Sequence, residues 1–119
     1  MKTATIFVIC IARLIEFYEG EFSERGYVIQ SATKTKQGLS SILWQPPDLV
    51  IIHDYVLIDE LDALALCQKI RAHLKHLPVV LISDEGNRSA VQRINVDFIE
   101  TMDFLKELFQ YVEKRLPIR

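Results

Sequence analysis

The chain lacks any apolar run of the ~18 residues that would read as a membrane span. Glycine is scarce: there are four, none in a GxGxxG or GxxxxGK pattern, so no phosphate-cradling loop of either kind is spelled out. The two cysteines, Cys10 and Cys67, sit in apolar segments at no metal-ligand spacing. They read as buried free thiols in a reducing compartment. Neither sign of charge dominates, with 14 Lys and Arg against 16 Asp and Glu for a formal −2. That balance argues against a sequence-independent nucleic-acid surface. Internal repeats, linkers and low-complexity segments are absent. So is any carboxylate between Met1 and Arg13.

What remains is a chain of 119 residues, 50% hydrophobic and 25% charged. That is one domain's worth, able to bury a single core, and residues 1–119 are read as one unit. The N-terminal TATIFVICIA is apolar, but Lys2 is its only early positive charge, and Arg13 and Glu16 follow directly. Without a convincing cleavage signal it reads as a first strand rather than a leader, and the expected location is the cytoplasm.

Residues 4–11 are continuously apolar, as in a strand covered on both faces. Residues 13–25 set Leu14, Tyr18 and Phe22 at i, i+4 and i+8, an amphipathic helix stopped by Gly26. Residues 27–29 form a short strand, and 36–44 a helix with Leu39, Ile42 and Leu43 inward that Pro46 and Pro47 end. A third strand covers 49–53, a long helix runs from about Asp59 to His73, and a fourth strand covers 77–83. A short helix is expected at 87–94 and a fifth strand at 96–100. Asp103 can cap a last helix with Leu105, Leu108, Phe109, Val112 and Leu116 on one face, closed by Pro117.

Five strands alternating with helices predict an α/β fold: a parallel sheet with helices on both faces and a shortened fourth helix. Right-handed crossovers favour the flavodoxin-like strand order 2-1-3-4-5.

Four stretches in register give a family resemblance: "ERGYVIQSA" (24–32), "PPDLVIIHD" (46–54), "LALCQKIRAHLKHLPVVLIS" (64–83) and "VDFIETMDFLKELFQYVEKRL" (96–116). The chain resembles, nearly end to end, the CheY-like receiver domain of two-component response regulators. The resemblance implies five chemical elements. An acidic pair after the first strand holds Mg²⁺ beside an acceptor aspartate on the third. A Ser or Thr on the fourth strand and a Lys on the fifth contact the phosphoryl group. Such transfer brings anions together, so cations must offset them.

Aligned on those motifs, the acidic pair falls on Ile9 and Cys10, or at latest on Ile11 and Ala12. The acceptor position falls on His53, with Asp54 one place later. Ser83 stands where Ser or Thr is expected, and Thr101 replaces the lysine. Three of the five elements are missing, one is ambiguous and one remains. The expectation is a pseudo-receiver, the fold without the phosphotransfer site: no enzyme, no cofactor and no metal. A strand alternates its faces, so the offset leaves open whether His53 or Asp54 meets the pocket. The alternatives are an atypical receiver using Asp54 with Mg²⁺, or a small flavodoxin-like enzyme or cofactor binder.

Phe98 falls at an aromatic switch position. Phe104 and Tyr111 lie partly off the inward face of the last helix, and Trp44 looks exposed. The expected partner is therefore a protein, a second copy among the options, on the fourth strand, fifth strand and last helix, with no nucleic acid and no membrane. Cys10 and His53, on neighbouring strands, could form a dyad or, with Asp54, a ligand set, though a hydrogen-bonded structural histidine is the stronger expectation. The basic run 71–76 reads as a helix end complementing its dipole. The chain is expected to act without an output domain, so control of DNA binding in cis is not expected.

Overall fold

A computed structural model describes residues 3–54, 61–102 and 104–117. The strands are β1 (Thr5–Ile9), β2 (Val28–Ala32), β3 (Leu49–His53), β4 (Val79–Ser83) and β5 (Asp97–Glu100). They form one parallel sheet in the order β2-β1-β3-β4-β5. The helices are α1 (Ala12–Glu24), α2 (Thr35–Trp44), α3 (Ala63–His73), α4 (Arg88–Gln92) and α5 (Phe104–Arg115), with a single 3₁₀ turn, Glu85–Asn87, leading into α4.

The alternation of strand side chains splits the core into two layers. Ile6, Val8, Cys10, Leu49, Ile51, Val80 and Ile82 face one way, against Tyr18 and Phe22 of α1 and Leu108 and Val112 of α5. Phe7, Ile9, Val50, Ile52, Val79 and Leu81 face the other, against Ile42 of α2, Leu66, Cys67 and Ile70 of α3 and Val91 of α4. β1, β3 and β4 read as unbroken apolar runs because both their faces are covered.

Boundaries differ from the sequence reading where one face is wet. β1 stops at Ile9, two residues earlier than expected, and β2 runs from Val28 to Ala32 rather than 27–29. As an edge strand exposing Val28, Gln30 and Ser31, β2 carries no apolar run to signal its length. α3 starts at Ala63 because Asp62 caps it, its carboxylate accepting from the Ala65 amide at 2.8 Å. Asp59, the expected start, and Asp103, the expected cap of α5, lie outside the described residues. The helix expected at 87–94 is α4 alone, five residues long, ended by Asn95 in left-handed backbone (φ 65°).

α2 lies close to the sheet at one point. A Cβ added to Gly38 would fall 2.6 Å from Ile9 Cδ1, so any larger residue would force the Ile9 side chain to shift.

Candidate functional site

The C-terminal ends of β1, β3 and β4 bring the aligned positions to one edge of the sheet, the usual site of chemistry in open α/β folds. Two of them carry no charge. Ile9 and Cys10 are fully buried, and they face opposite layers of the core. Burial pushes the Cys10 thiol up to about 12, which keeps it protonated.

His53 is the last residue of β3 and pairs with Ile82. Its ring faces the α1/α5 layer, 3% exposed, which makes it a buried polar group that needs a partner. Tyr18 of α1 supplies one, with the hydroxyl 2.6 Å from Nδ1. In the neutral Nε2–H tautomer that hydroxyl donates to Nδ1. The Tyr18 ring meets the imidazole edge-on with centroids 5.9 Å apart, and Phe104 of α5 does so at 4.8 Å. Burial lowers the His53 pKa to about 4 and raises that of Tyr18, so both stay neutral at pH 7.

Asp54 continues the alternation onto the opposite face. Its amide still bonds the Ile82 carbonyl at 2.8 Å, extending the ladder by one residue. The Ser83 hydroxyl donates to Asp54 Oδ2 at 2.9 Å, and Asn87 Nδ2 donates to Ser83 Oγ at 2.8 Å. Thr101 joins through its backbone, its amide bonding the Ser83 carbonyl at 3.0 Å. Asp54, Ser83 and Thr101 are thus brought together, and His53 is turned away from them. Cys10, His53 and Asp54 are not assembled as a ligand set. Among the described residues no three His, Cys, Asp or Glu side chains converge as metal ligands.

A Mg²⁺ ion needs about six oxygen donors, usually with carboxylates among them. Ile9 and Cys10 supply none, His53 is tied to Tyr18, and the one carboxylate among these aligned, described positions, Asp54, already accepts from Ser83. The described donors do not fit that ion.

Phe104 and Tyr111 are both half-buried: Phe104 packs over His53, and the Tyr111 hydroxyl donates to Asp97 Oδ2 at 2.8 Å. Phe98 is buried in the α2/α3 layer, with the Arg88 guanidinium 4.7 Å over its ring. Trp44, by contrast, is 89% exposed. Sequence reasoning missed Tyr18 and Asn87 as partners. Tyr18 sits at core spacing on α1, where a tyrosine reads as packing, and Asn87 falls in a turn.

No protein-family model matches the sequence, and no curated protein does. Solved structures do. The receiver domain of NtrX from Brucella abortus is 28% identical with a TM-score of 0.80, over 96% of this chain and 99% of that one. In the longer NtrX structure the match has a TM-score of 0.79 and covers 97% of this chain, which spans only 27% of that one. A putative response regulator from Chloroflexus aurantiacus matches at 23% identity with a TM-score of 0.83, over 98% and 100%. The fold is the CheY-like fold of response-regulator receiver domains, and the solved structures that this chain resembles are receiver domains. Within that class the NtrX receiver domain is one of the structures this chain resembles.

Proposed function

We propose that this receiver fold works as a pseudo-receiver, a non-catalytic module that signals through protein contacts without aspartyl phosphorylation and without Mg²⁺. One observation carries the reading. The residue that the family motif aligns with the acceptor, His53, is buried and bonded to Tyr18, and the residues aligned with the acidic pair, Ile9 and Cys10, are buried and uncharged. Phosphoryl transfer there would gather negative charge with no metal-binding carboxylates and no lysine to offset it. A groove of about 300 Å³ along β5 and α5, lined by Phe98, Glu107, Tyr111 and Lys114 among others, supports a protein partner on that face. Two buried free thiols agree with a reducing cytoplasmic setting.

A second reading has its own support. Asp54 accepts from Ser83 beside the Thr101 backbone, so an atypical acceptor would be Asp54. Backbone amide NMR with Mg²⁺ and beryllofluoride, a mimic of aspartyl phosphate, separates the two. The pseudo-receiver reading expects no saturable shift. Saturable shifts at Asp54, Ser83 and Thr101 would overturn it in favour of Asp54.

A further inference from the structure

At the end of the sheet opposite Asp54 and Ser83, α3 runs out at His73 and residues 74–78 lead into β4. α4 ends there as well, and Asn95 turns the chain into β5. Between these turns lies a cleft of about 500 Å³, walled by Arg71, Lys75, Arg93, Ile94 and Asn95 among others. A second concavity of about 300 Å³ shares Arg71, Lys75 and Asn95 and continues past His76 to Asp97 and Arg115. The two make one open trough.

Its charge runs against that of the whole chain. Four Lys and Arg side chains line it against the single carboxylate of Asp97, in a protein of formal charge −2. Asp97 is already engaged, accepting from Tyr111 at 2.8 Å and from Arg115 at 3.2 Å. Arg71, Lys75 and Arg93 have no ion-pair partner among the described residues.

Cations beside a helix C-terminus complement its dipole, and Arg71 does part of that work, with Nη1 donating to the Leu74 carbonyl at 2.8 Å. The dipole does not account for Lys75, which lies beyond the cap. Nor does it account for the Arg71 Nε–H, buried with no acceptor among the described residues. Unpaired like charges crowded into one trough repel each other, and an anion laid between them relieves that repulsion. Guanidinium groups match carboxylates in shape as well as charge. An open trough with cations along its length suits an extended chain bearing several carboxylates better than one small enclosed anion.

We infer that this trough docks an acidic peptide segment of a partner protein, its Asp and Glu side chains pairing with Arg71, Lys75 and Arg93. The choice of a peptide rests on the reading of the chain as a protein-contact module. The trough sits at the far end of the sheet from Asp54, so the two ideas are read from different resonances and different titrants.

The test is an amide NMR titration of the whole chain with a short Glu-rich peptide, without Mg²⁺ or beryllofluoride. Saturable shifts at Lys75, Arg93 and Asn95 are expected. In a Lys75→Glu, Arg93→Glu double variant the affinity falls at least about tenfold, as expected when paired charges are reversed. Both residues are exposed, so the variant keeps the fold, which its unshifted β-strand amides will report. Charge reversal at the exposed Arg13, on α1 at the other end of the sheet, leaves the affinity unchanged. Any of three results overturns the inference: no shift at the trough, equal weakening by Arg13→Glu, or equal occupancy by inorganic phosphate or a single-stranded oligonucleotide at matched charge.

Discussion

The Tyr18 hydroxyl and His53 Nδ1 lie 2.6 Å apart inside the α1/α5 layer, and that contact decides which way the end of β3 faces. A histidine at the last position of a central strand would otherwise leave a polar ring in an apolar layer. Tyr18 satisfies one ring nitrogen, and Phe104 covers the ring.

The pair makes stability depend on pH. His53 has a pKa of about 4 when folded against the ordinary histidine value of 6.5, so between those values the unfolded chain binds a proton that the folded chain does not. Stability is therefore full above pH 6.5 and falls as the pH drops toward 4, by at most about 3 kcal/mol. Urea unfolding at pH 7 and pH 5 measures the drop, and His53→Asn removes this part of the slope. Tyr18→Phe leaves Nδ1 buried without its partner and costs about 1–3 kcal/mol at pH 7.

Restoring an aspartate at the acceptor position does not restore a receiver. In His53→Asp the new carboxylate points at Tyr18 and Phe104 in a dry layer, and destabilisation of roughly 3 kcal/mol or more follows from burying a charge without a cation. The variant also gives no beryllofluoride response. A stable His53→Asp protein that does respond would refute this account of the site.

Gly38→Ala tests how closely α2 is seated. Alanine favours the helix by about 1 kcal/mol, but the added methyl must displace the buried Ile9 side chain, and overpacking costs about 1–3 kcal/mol. Net destabilisation is expected in denaturant melts. Ile9→Val removes the Cδ1 that lies 2.6 Å from the added Cβ but keeps a γ-carbon, which in Ile9 lies at 2.9 Å, so it is expected to recover only part of the loss.

Burial pushes both thiols up to about 12, so neither Cys10 nor Cys67 reacts in the native state at neutral pH. Alkylation monitored by mass spectrometry is expected to follow global unfolding, speeding up with urea at the same midpoint as circular dichroism.

Trp44 is the only tryptophan, and it is 89% exposed. Its fluorescence is expected to be solvent-like in the folded protein and to shift little on unfolding. Trp44→Ser changes stability by no more than about 0.5 kcal/mol. A blue shift when another protein is added would mark this end of α2 as a contact.

The sequence by itself determined the element order, the parallel sheet and its strand order. Continuous apolar runs in β1, β3 and β4 can be satisfied only by strands covered on both faces, and the 3.6-residue periodicity of α1 and α5 supplies the cover. The absence of any carboxylate between Met1 and Arg13 was legible as well, since composition needs no geometry. Edge strand β2 and the start of α3 were less legible, because their limits depend on a wet face and on the cap of Asp62.

The choice between His53 and Asp54 could not be read from the sequence. One residue of register swaps the two sides of a strand, and adjacent polar residues at its end give no pattern to set that register. The tertiary structure shows which way each one points, with Tyr18 from α1 meeting His53 on one face and Ser83 and Asn87 on the Asp54 side of the other. Those partners lie 35 and 29 residues from His53 and Asp54 along the chain for Tyr18 and Ser83, and only the packing of the layers makes them neighbours.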